Sequence, residues 1–553
     1  MQRNFLWRKE SSGLYIDVFA VRGYPGNNNK SALINISFEA AKGKEFNKND
    51  EYSKLAREKG NIDYAKGNYR EAMRRYTVSA SFAESKSELL ALALGNRSAC
   101  FLMLHMYDEC LIDIEMAKGA NYPQHLMSKL ENRKENCLKQ MADDECKTKQ
   151  PKYREPKLSF EEHPNHAGVA NCLKITKNDK FGRHVVTTRD LSIGETILLE
   201  KPYVITRERF NKEVANRCLY CFKEFYNFIV CKNCVDGVFC NEECMENSKH
   251  KFECNMPSCL ARERTLELVL KMFYKVNNEY PDVDVFMQVV DSLIKGQLNE
   301  SPLTSTAQKG FCSLFQLTHN HNKQSDSQLL RLVAASDVAV TTLMRTEEFQ
   351  KKYQSTKHRR FLQHLILHFF HITEHSVDLC ELYEEDARMM DITSRVYANG
   401  IYAFGCFFNH SCVPNVASFS VDNRLILKVI WPVKKGAQML RSYFPGCAPF
   451  DQGSVNINKL FLHTRYHFEC KCYICTQPNR TASTKDWSDS RLDDVRFFSE
   501  LSRKEIRSLP PEKLKYYETK IIETLKRHLR LNCTTLALQN NLQVFWQLIA
   551  SRC

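Results

Sequence analysis

The chain has 553 residues, more than one hydrophobic core fills, so two to four domains are expected. Hydrophobic residues make up 43% and charged residues 26%, an ordinary composition for a soluble protein. The most apolar run, FLQHLILHFF, is far shorter than the ~20 residues of a membrane span. The formal charge of +14 is spread along the chain and forms no concentrated basic patch for nucleic acid.

The opening MQRNFLWRKESSG has no apolar run followed by small residues, so no signal peptide is expected and the protein reads as intracellular. In a reducing compartment the 23 cysteines are thiols, and clustered ones point to metal. Residues 1–50, Asn- and Lys-rich around YPGNNNKS, read as a poorly ordered leader. From 51 to 142 the texture is helical. Gly60, Tyr64, Gly67, Tyr69, Ala72 and Tyr76 recur at the spacing of a helix, a tight turn and a second helix, and Asn96, Ala99, Tyr107 and Ala117 repeat it. NYPQHLMSKLENRKENCLKQM offers a further helical pair. The region resembles a tetratricopeptide (TPR) array, which implies a groove for a peptide or protein partner; an unrelated amphipathic bundle is the alternative.

A charged linker over 143–166 leads into HVVTT and TILLE, short β-branched runs between Gly and Asp turns that read as a β meander. Four cysteine or cysteine–histidine pairs interrupt it over 218–254: Cys218 and Cys221, Cys231 and Cys234, Cys240 and Cys244, His250 and Cys254. Eight soft ligands in pairs match two closed, structural tetrahedral zinc sites. A segment this short cannot bury enough apolar surface to fold alone, so metal would supply its folding energy. The spacing C-x2-C-x9-C-x2-C-x5-C-x3-C-x5-H-x3-C resembles a MYND finger. That resemblance implies one ion on Cys218, Cys221, Cys240 and Cys244, the other on Cys231, Cys234, His250 and Cys254, and a peptide-binding role.

A helical insert is expected over 259–390, after which strand character returns in NVASFSV and RLILKVIWPV. YHFECKCYIC supplies only three thiolates, Cys470, Cys472 and Cys475, and Cys412 of NHSC is the candidate fourth ligand. A core thiol and a nucleophile are the other readings of Cys412. Residues 479–553 read as a helical C-terminal region of unassigned role.

NHSCVPN, then Ser442 and Tyr443, then Y-x-F-x-C-x-C-x2-C is similar to a SET domain with its post-SET zinc site, here 167–446 and 447–478. A MYND finger inside a split SET domain resembles the SMYD family of protein-lysine methyltransferases, and the helical repeats match a TPR-bearing member. The whole reads as a multidomain α+β chain: TPR-like repeats, a β-rich SET domain split by the finger and the helical insert, a post-SET site and a helical tail. The resemblance implies methyl transfer from S-adenosylmethionine to a lysine of a protein substrate, with three zinc ions. Tyr443 then matches the catalytic tyrosine and Tyr466 the substrate channel, while Gly182, Arg183, Asn409, His410, Tyr443 and Phe468 match the cofactor site. The family also implies a nuclear and cytoplasmic monomer that binds partners through its TPR and MYND surfaces.

Three positions depart from the family pattern: Phe181 replaces a Lys, GAQ (Gly436 to Gln438) replaces G-E-E, and Thr373 stands near the place of an Asn. These departures motivate an alternative, a catalytically silent adaptor such as a transcriptional co-repressor scaffold. No G-x-G, P-loop, H-E-x-x-H or G-x-S-x-G is present, which removes support for dinucleotide, kinase, metalloprotease and serine-hydrolase chemistry.

Overall fold

The computed structural model describes residues 7–10, 13–16, 48–84, 87–145, 156–207, 217–248, 250, 254, 264–296, 305–317, 323–385, 392–444, 452–476, 509–527 and parts of 538–547. The chain forms two compact units. One gathers 36–151 and 209–262; the other gathers 1–35, 152–208 and 263–553. No helix of the described residues is long and apolar enough to cross a membrane.

The expected leader contains a hairpin of β1 (Trp7–Glu10) and β2 (Gly13–Ile16). The helical unit begins with α1 (Asp50–Ala65), whose N-cap Asn49 accepts a hydrogen bond from the Tyr52 amide, and α2 (Tyr69–Phe82). Next come α3 (Glu88–Met103), α4 (Tyr107–Gly119) and α5 (Met127–Glu145). Ala72, Tyr76, Ala91, Leu94, Phe101, Ile114, Ala117 and Leu130 form their common core. Small residues explain the close packing: a Cβ on Gly60 would strike the Tyr76 ring, and one on Gly95 the Tyr122 ring.

An ion pair sits inside this core. Arg97 on α3 donates from Nε to Asp113 Oδ2 at 2.6 Å and from Nη2 to Oδ1 at 2.8 Å, with both side chains fully buried. Arg97 also donates to Thr77 Oγ1 of α2. The cysteine-rich segment completes the arrangement and belongs to this same unit. Its Asn227 donates to Asp113 Oδ1 at 2.6 Å and to the Glu109 carbonyl at 2.9 Å, and Phe228 lies 4.7 Å from the Arg97 guanidinium. The segment itself has only two-residue strands, β9 (Ile229–Val230) and β10 (Val238–Phe239), and one short helix, α6 (Glu242–Asn247).

The other unit holds β3 (Glu162–His163), β4 (His166–Ala170), β5 (Leu173–Asn178), β6 (Gly182–Thr187), β7 (Thr196–Glu200) and β8 (Val204–Arg207). After the excursion through the first unit the chain returns at α7 (Arg264–Asn277), α8 (Val283–Ile294), α9 (Thr306–Phe315), α10 (Asp326–Leu343), α11 (Glu347–Lys352) and α12 (Thr356–Ser376). Then follow β11 (Asp378–Glu385), β12 (Ile392–Ile401), β13 (Asn409–His410), β14 (Val416–Val421), β15 (Arg424–Val429) and β16 (Leu440–Arg441).

The main sheet has the order β14-β15-β7-β4-β3, β11-β12-β8 forms a second, and β5-β6 and β13-β16 are two-stranded. Their shared core includes Val169, Ile197, Leu198, Phe404, Phe408, Leu427 and Met439. The helical insert expected to 390 ends at Ser376, because DLCELYEE pairs antiparallel with β12. Its alternating charges read as a surface helix, and strand pairing overrides that local preference.

Residues 452–476 hold α13 (Gln452–Phe461), a π turn over Leu462–Tyr466 and α14 (Tyr473–Thr476). The tail contributes α15 (Pro511–Arg527), whose Ile521 and Leu525 bury against Phe419 and Ile426 of the main sheet. Each such side chain contributes about 1.5–3 kcal/mol.

Removing one member of the buried ion pair leaves an uncompensated charge. Asp113→Ala is expected to destabilise the protein by about 3–5 kcal/mol. The paired change Arg97→Met with Asp113→Leu is expected to recover most of that loss. Urea unfolding followed by circular dichroism measures both; equal losses in the two variants would refute the account.

Candidate active site and metal centres

The parallel pairing of β13 with β16 matches Asn409 to Leu440 and His410 to Arg441, which brings NHSC beside RSY. Asn415, the last residue of the motif, holds the register: its Oδ1 accepts from the Leu440 amide at 2.7 Å, and its Nδ2 donates to the Gln438 carbonyl at 2.9 Å. His410 bridges the two segments. The Tyr443 amide donates to its Nδ1 at 3.0 Å, so Nε2 carries the proton and faces Cys412 Sγ at 3.3 Å. Burial lowers the His410 pKa to about 4, which keeps the ring neutral at physiological pH.

Tyr443 donates its hydroxyl to the Phe408 carbonyl at 3.1 Å. Burial pushes its pKa well up, so the phenol stays protonated. Tyr466 lies 4.9 Å from Tyr443, and Phe468 lies 6.5 Å from it, edge to face. The π turn ends at His467 in left-handed backbone (φ 57°) and carries the Tyr466 ring against Tyr443. A cavity opens beside these rings, walled by Phe444, Phe461, Tyr443 and Tyr466.

The cavity also holds charges that sequence reasoning missed. Arg441 donates to Asp378 Oδ1 at 2.6 Å, and its guanidinium lies 5.6 Å from the Tyr443 ring centre. Burial opposes the Arg441 charge, but Asp378 outweighs burial and the pKa rises. Asp378 Oδ2 and Arg441 Nε are buried with no protein partner. Behind them Glu200 accepts from the Phe404 and Gly405 amides at 2.8 Å each, while burial raises its pKa to about 7. His375 of α12, Arg465 and the tail residues Gln543 and Gln547 complete the lining. No local motif marks these positions, because they come from β11, β16, α12 and the tail.

Gly182 opens β6 at φ 63°, and a Cβ there would meet nothing within 4 Å. Its neighbour Phe181 is 44% exposed, and the Phe181 carbonyl accepts from Asn409 Nδ2 at 3.1 Å. Arg183 lies over the Phe407 ring at 5.1 Å. The structure therefore brings Gly182, Arg183, Asn409 and His410 to one region of this unit. The open turn, the exposed ring and the amide fit an adenosyl group in kind. Thr373 differs from the expected Asn: it is fully buried, and its hydroxyl bonds the Phe370 carbonyl within α12.

Three clusters have ligand atoms within 4.8 Å of one another: Cys218, Cys221, Cys240 and Cys244; Cys231, Cys234, His250 and Cys254; and Cys412, Cys470, Cys472 and Cys475. A tetrahedral zinc with ~2.3 Å thiolate bonds spaces its sulfurs about 3.8 Å apart. The observed separations match: Cys221 to Cys240 is 3.7 Å, Cys231 to Cys254 is 3.7 Å, Cys412 to Cys475 is 3.6 Å and Cys412 to Cys470 is 3.9 Å. The donor sets fit zinc. Cys412 thus lies among thiols, and no described base approaches it except neutral His410, which favours the ligand reading over the nucleophile.

A family model described as SET domain matches residues 182–444. Protein-lysine N-methyltransferase SMYD4 of Pongo abelii is 22% identical over 549 residues, covering 78% of this chain and 68% of its own. Histone-lysine N-methyltransferase ASHR1 of Arabidopsis thaliana is 23% identical over 320 residues, covering 55% of each chain. Among solved structures, the SET domain of LSMT bound to lysine and AdoHcy covers 68% of this chain and 85% of its own, at 12% identity and a TM-score of 0.22.

Replacing Cys412 by Ser is expected to lower the zinc content by one ion per chain and to reduce stability by several kcal/mol, given about 10–16 kcal/mol for a whole structural site. Elemental analysis and thermal melting provide the check. Unchanged zinc content would remove Cys412 from the ligand set.

Proposed function

From the premise that the chain carries a SET domain and resembles SET and MYND domain (SMYD) proteins along 78% of its length, we propose that it is a protein-lysine N-methyltransferase. The observation that carries this reading is Tyr443, whose backbone amide donates to His410 and whose hydroxyl donates to the Phe408 carbonyl at a cavity with an aromatic wall. S-adenosylmethionine, when bound, supplies the electrophilic methyl group. Gly182, Arg183, Asn409, His410 and Phe468 would hold it, with three zinc ions in the structural sites.

The remaining work falls to positioning. Tyr443, Tyr466, Phe461 and Phe444 would shield a lysine side chain from water along one wall of the cavity, and desolvation against those rings lowers the amine pKa toward the neutral, nucleophilic form. The Tyr443 hydroxyl and the Phe408 carbonyl it contacts are the polar groups that would orient the amine nitrogen and its lone pair. Asp378 and Arg441 bring one negative and one positive charge to the same cavity, so the pair adds little net field there. Protein partners would engage the TPR-like and MYND-like surfaces, and nucleus and cytoplasm are the proposed compartments.

The test is transfer of labelled methyl from S-adenosylmethionine to cell-extract proteins by the zinc-replete chain. Tyr443→Phe is expected to lower the rate about 100-fold, as a lost orienting contact does, with zinc content and melting unchanged. No incorporation by a folded, zinc-replete wild type would overturn the enzyme reading in favour of a silent adaptor.

A further inference from the structure

The cavity beside Tyr443 carries one charge that the methyl-transfer reading does not use. Asp378 and Arg441 cancel one another there. Burial lowers the His375 pKa to about 4 against the pull of Glu374, so that ring is neutral. Arg465 remains. Among the described residues no carboxylate pairs with it, and its Nε is buried without a partner. The nearby acids are engaged elsewhere: Glu374 with Arg331 at 2.6 Å, and Glu200 with the Phe404 and Gly405 amides.

The backbone explains how Arg465 reaches this wall. It precedes Tyr466 in the π turn over Leu462–Tyr466. Consecutive side chains of a regular helix diverge by ~100°, whereas the wider turn lets Arg465 and Tyr466 line the same cavity. The guanidinium lies 5.7 Å from the Phe461 ring centre and 5.7 Å from that of Tyr466. Such rings attract and orient a guanidinium but offer no acceptor in its plane, so its fork of donors is left to other partners.

An unpaired arginine conflicts with a cavity that takes lysine. An approaching ammonium is repelled, and the partly buried guanidinium keeps a desolvation cost that nothing among the described residues offsets. A carboxylate that arrives with the lysine removes both penalties, and the guanidinium fork matches it in geometry as well as charge. The carboxylate of S-adenosylmethionine fits less well, because Gly182, Arg183 and Asn409 are not among the walls of this cavity.

We propose that Arg465 is a specificity-determining residue that pairs with an Asp or Glu beside the target lysine, so that the preferred substrates are lysines in acidic sequence. This role rests on the methyl-transfer reading for the lysine that occupies the cavity.

Fluorescence anisotropy on the full zinc-replete chain reads binding apart from catalysis. The probes are three labelled pools of nine-residue peptides with a central lysine, randomised except at the two residues that flank it. Those two are drawn from Asp and Glu in one pool, from Ser and Gln in the second, and are Arg in the third. The acidic pool is expected to bind at least about tenfold more tightly than the Ser/Gln pool, the worth of one charge-assisted contact. Arg465→Gln is expected to erase that preference and Arg465→Glu to turn it toward the Arg pool. Lys351→Gln, which removes an equal charge from an exposed position of α11, is expected to keep it. Equal binding of the three pools by the wild type, or binding of none, overturns the proposal without recourse to a variant. So does a preference that survives Arg465→Gln. Transfer of labelled methyl to the same pools separates the two readings. Preferential binding of the acidic pool without transfer supports the role of Arg465 and removes the enzyme; transfer with no preference among pools keeps the enzyme and overturns the role of Arg465.

Discussion

The site depends on a single imidazole. His410 accepts the Tyr443 amide on one nitrogen and turns its N–H toward the Cys412 sulfur. The ring therefore couples the backbone of the proposed catalytic tyrosine to the cysteine cluster that Cys412 forms with Cys470, Cys472 and Cys475. The same cluster draws in Cys470, Cys472 and Cys475, and the chain on the way to them places Tyr466 and Phe468 beside Tyr443. Backbone pairing alone would not suffice: β13 and β16 share only two residue pairs, too few to hold a register without Asn415 and His410. A protonated His410 could no longer accept the Tyr443 amide, and burial keeps the ring neutral.

What the sequence makes legible follows from how local each signal is. The twelve metal-site residues are readable because ligand spacing is set by short loops, and the three clusters assemble along those lines. NHSC and Tyr443 are readable as a linear motif, although their contact needs a β13-β16 pairing that no periodicity reveals. Asp378, Arg441 and Glu200 are illegible for the opposite reason. Each looks like a surface charge in its own segment, and only the assembled core shows that Arg441 and Glu200 are buried and Asp378 half-buried. The tail is similar: Gln543 and Gln547 line the cavity beside Leu538, Leu542 and Trp546, which pack with α15 against the main sheet, and a helical pattern says nothing of where a helix docks. Residues 479–508 lie outside the described structure, as do 146–155 of the expected linker.

Buried charge recurs in both units with different consequences. In the helical unit Arg97 and Asp113 satisfy one another and Asn227 takes up a remaining lone pair, so the network is nearly closed. Beside Tyr443 the network is open, with Asp378 Oδ2 and Arg441 Nε unpartnered at a cavity wall. A closed buried network rigidifies a core, whereas an open one is costly to maintain in low dielectric. The open one lies at the cavity proposed to take the substrate side chain, which is where polar groups can be completed by something other than the protein.

Modules named from sequence need not be the physical units. The finger is threaded through the β-rich unit in chain order, yet it is structurally part of the helical unit. The reason is energetic. Two-residue strands and a six-residue helix bury little apolar surface, so the finger needs metal and an external surface against which Tyr226 and Phe228 can pack. The helical repeats gain in return, since Asn227 adds a hydrogen bond to Asp113 and the Phe228 ring packs on the Arg97 guanidinium.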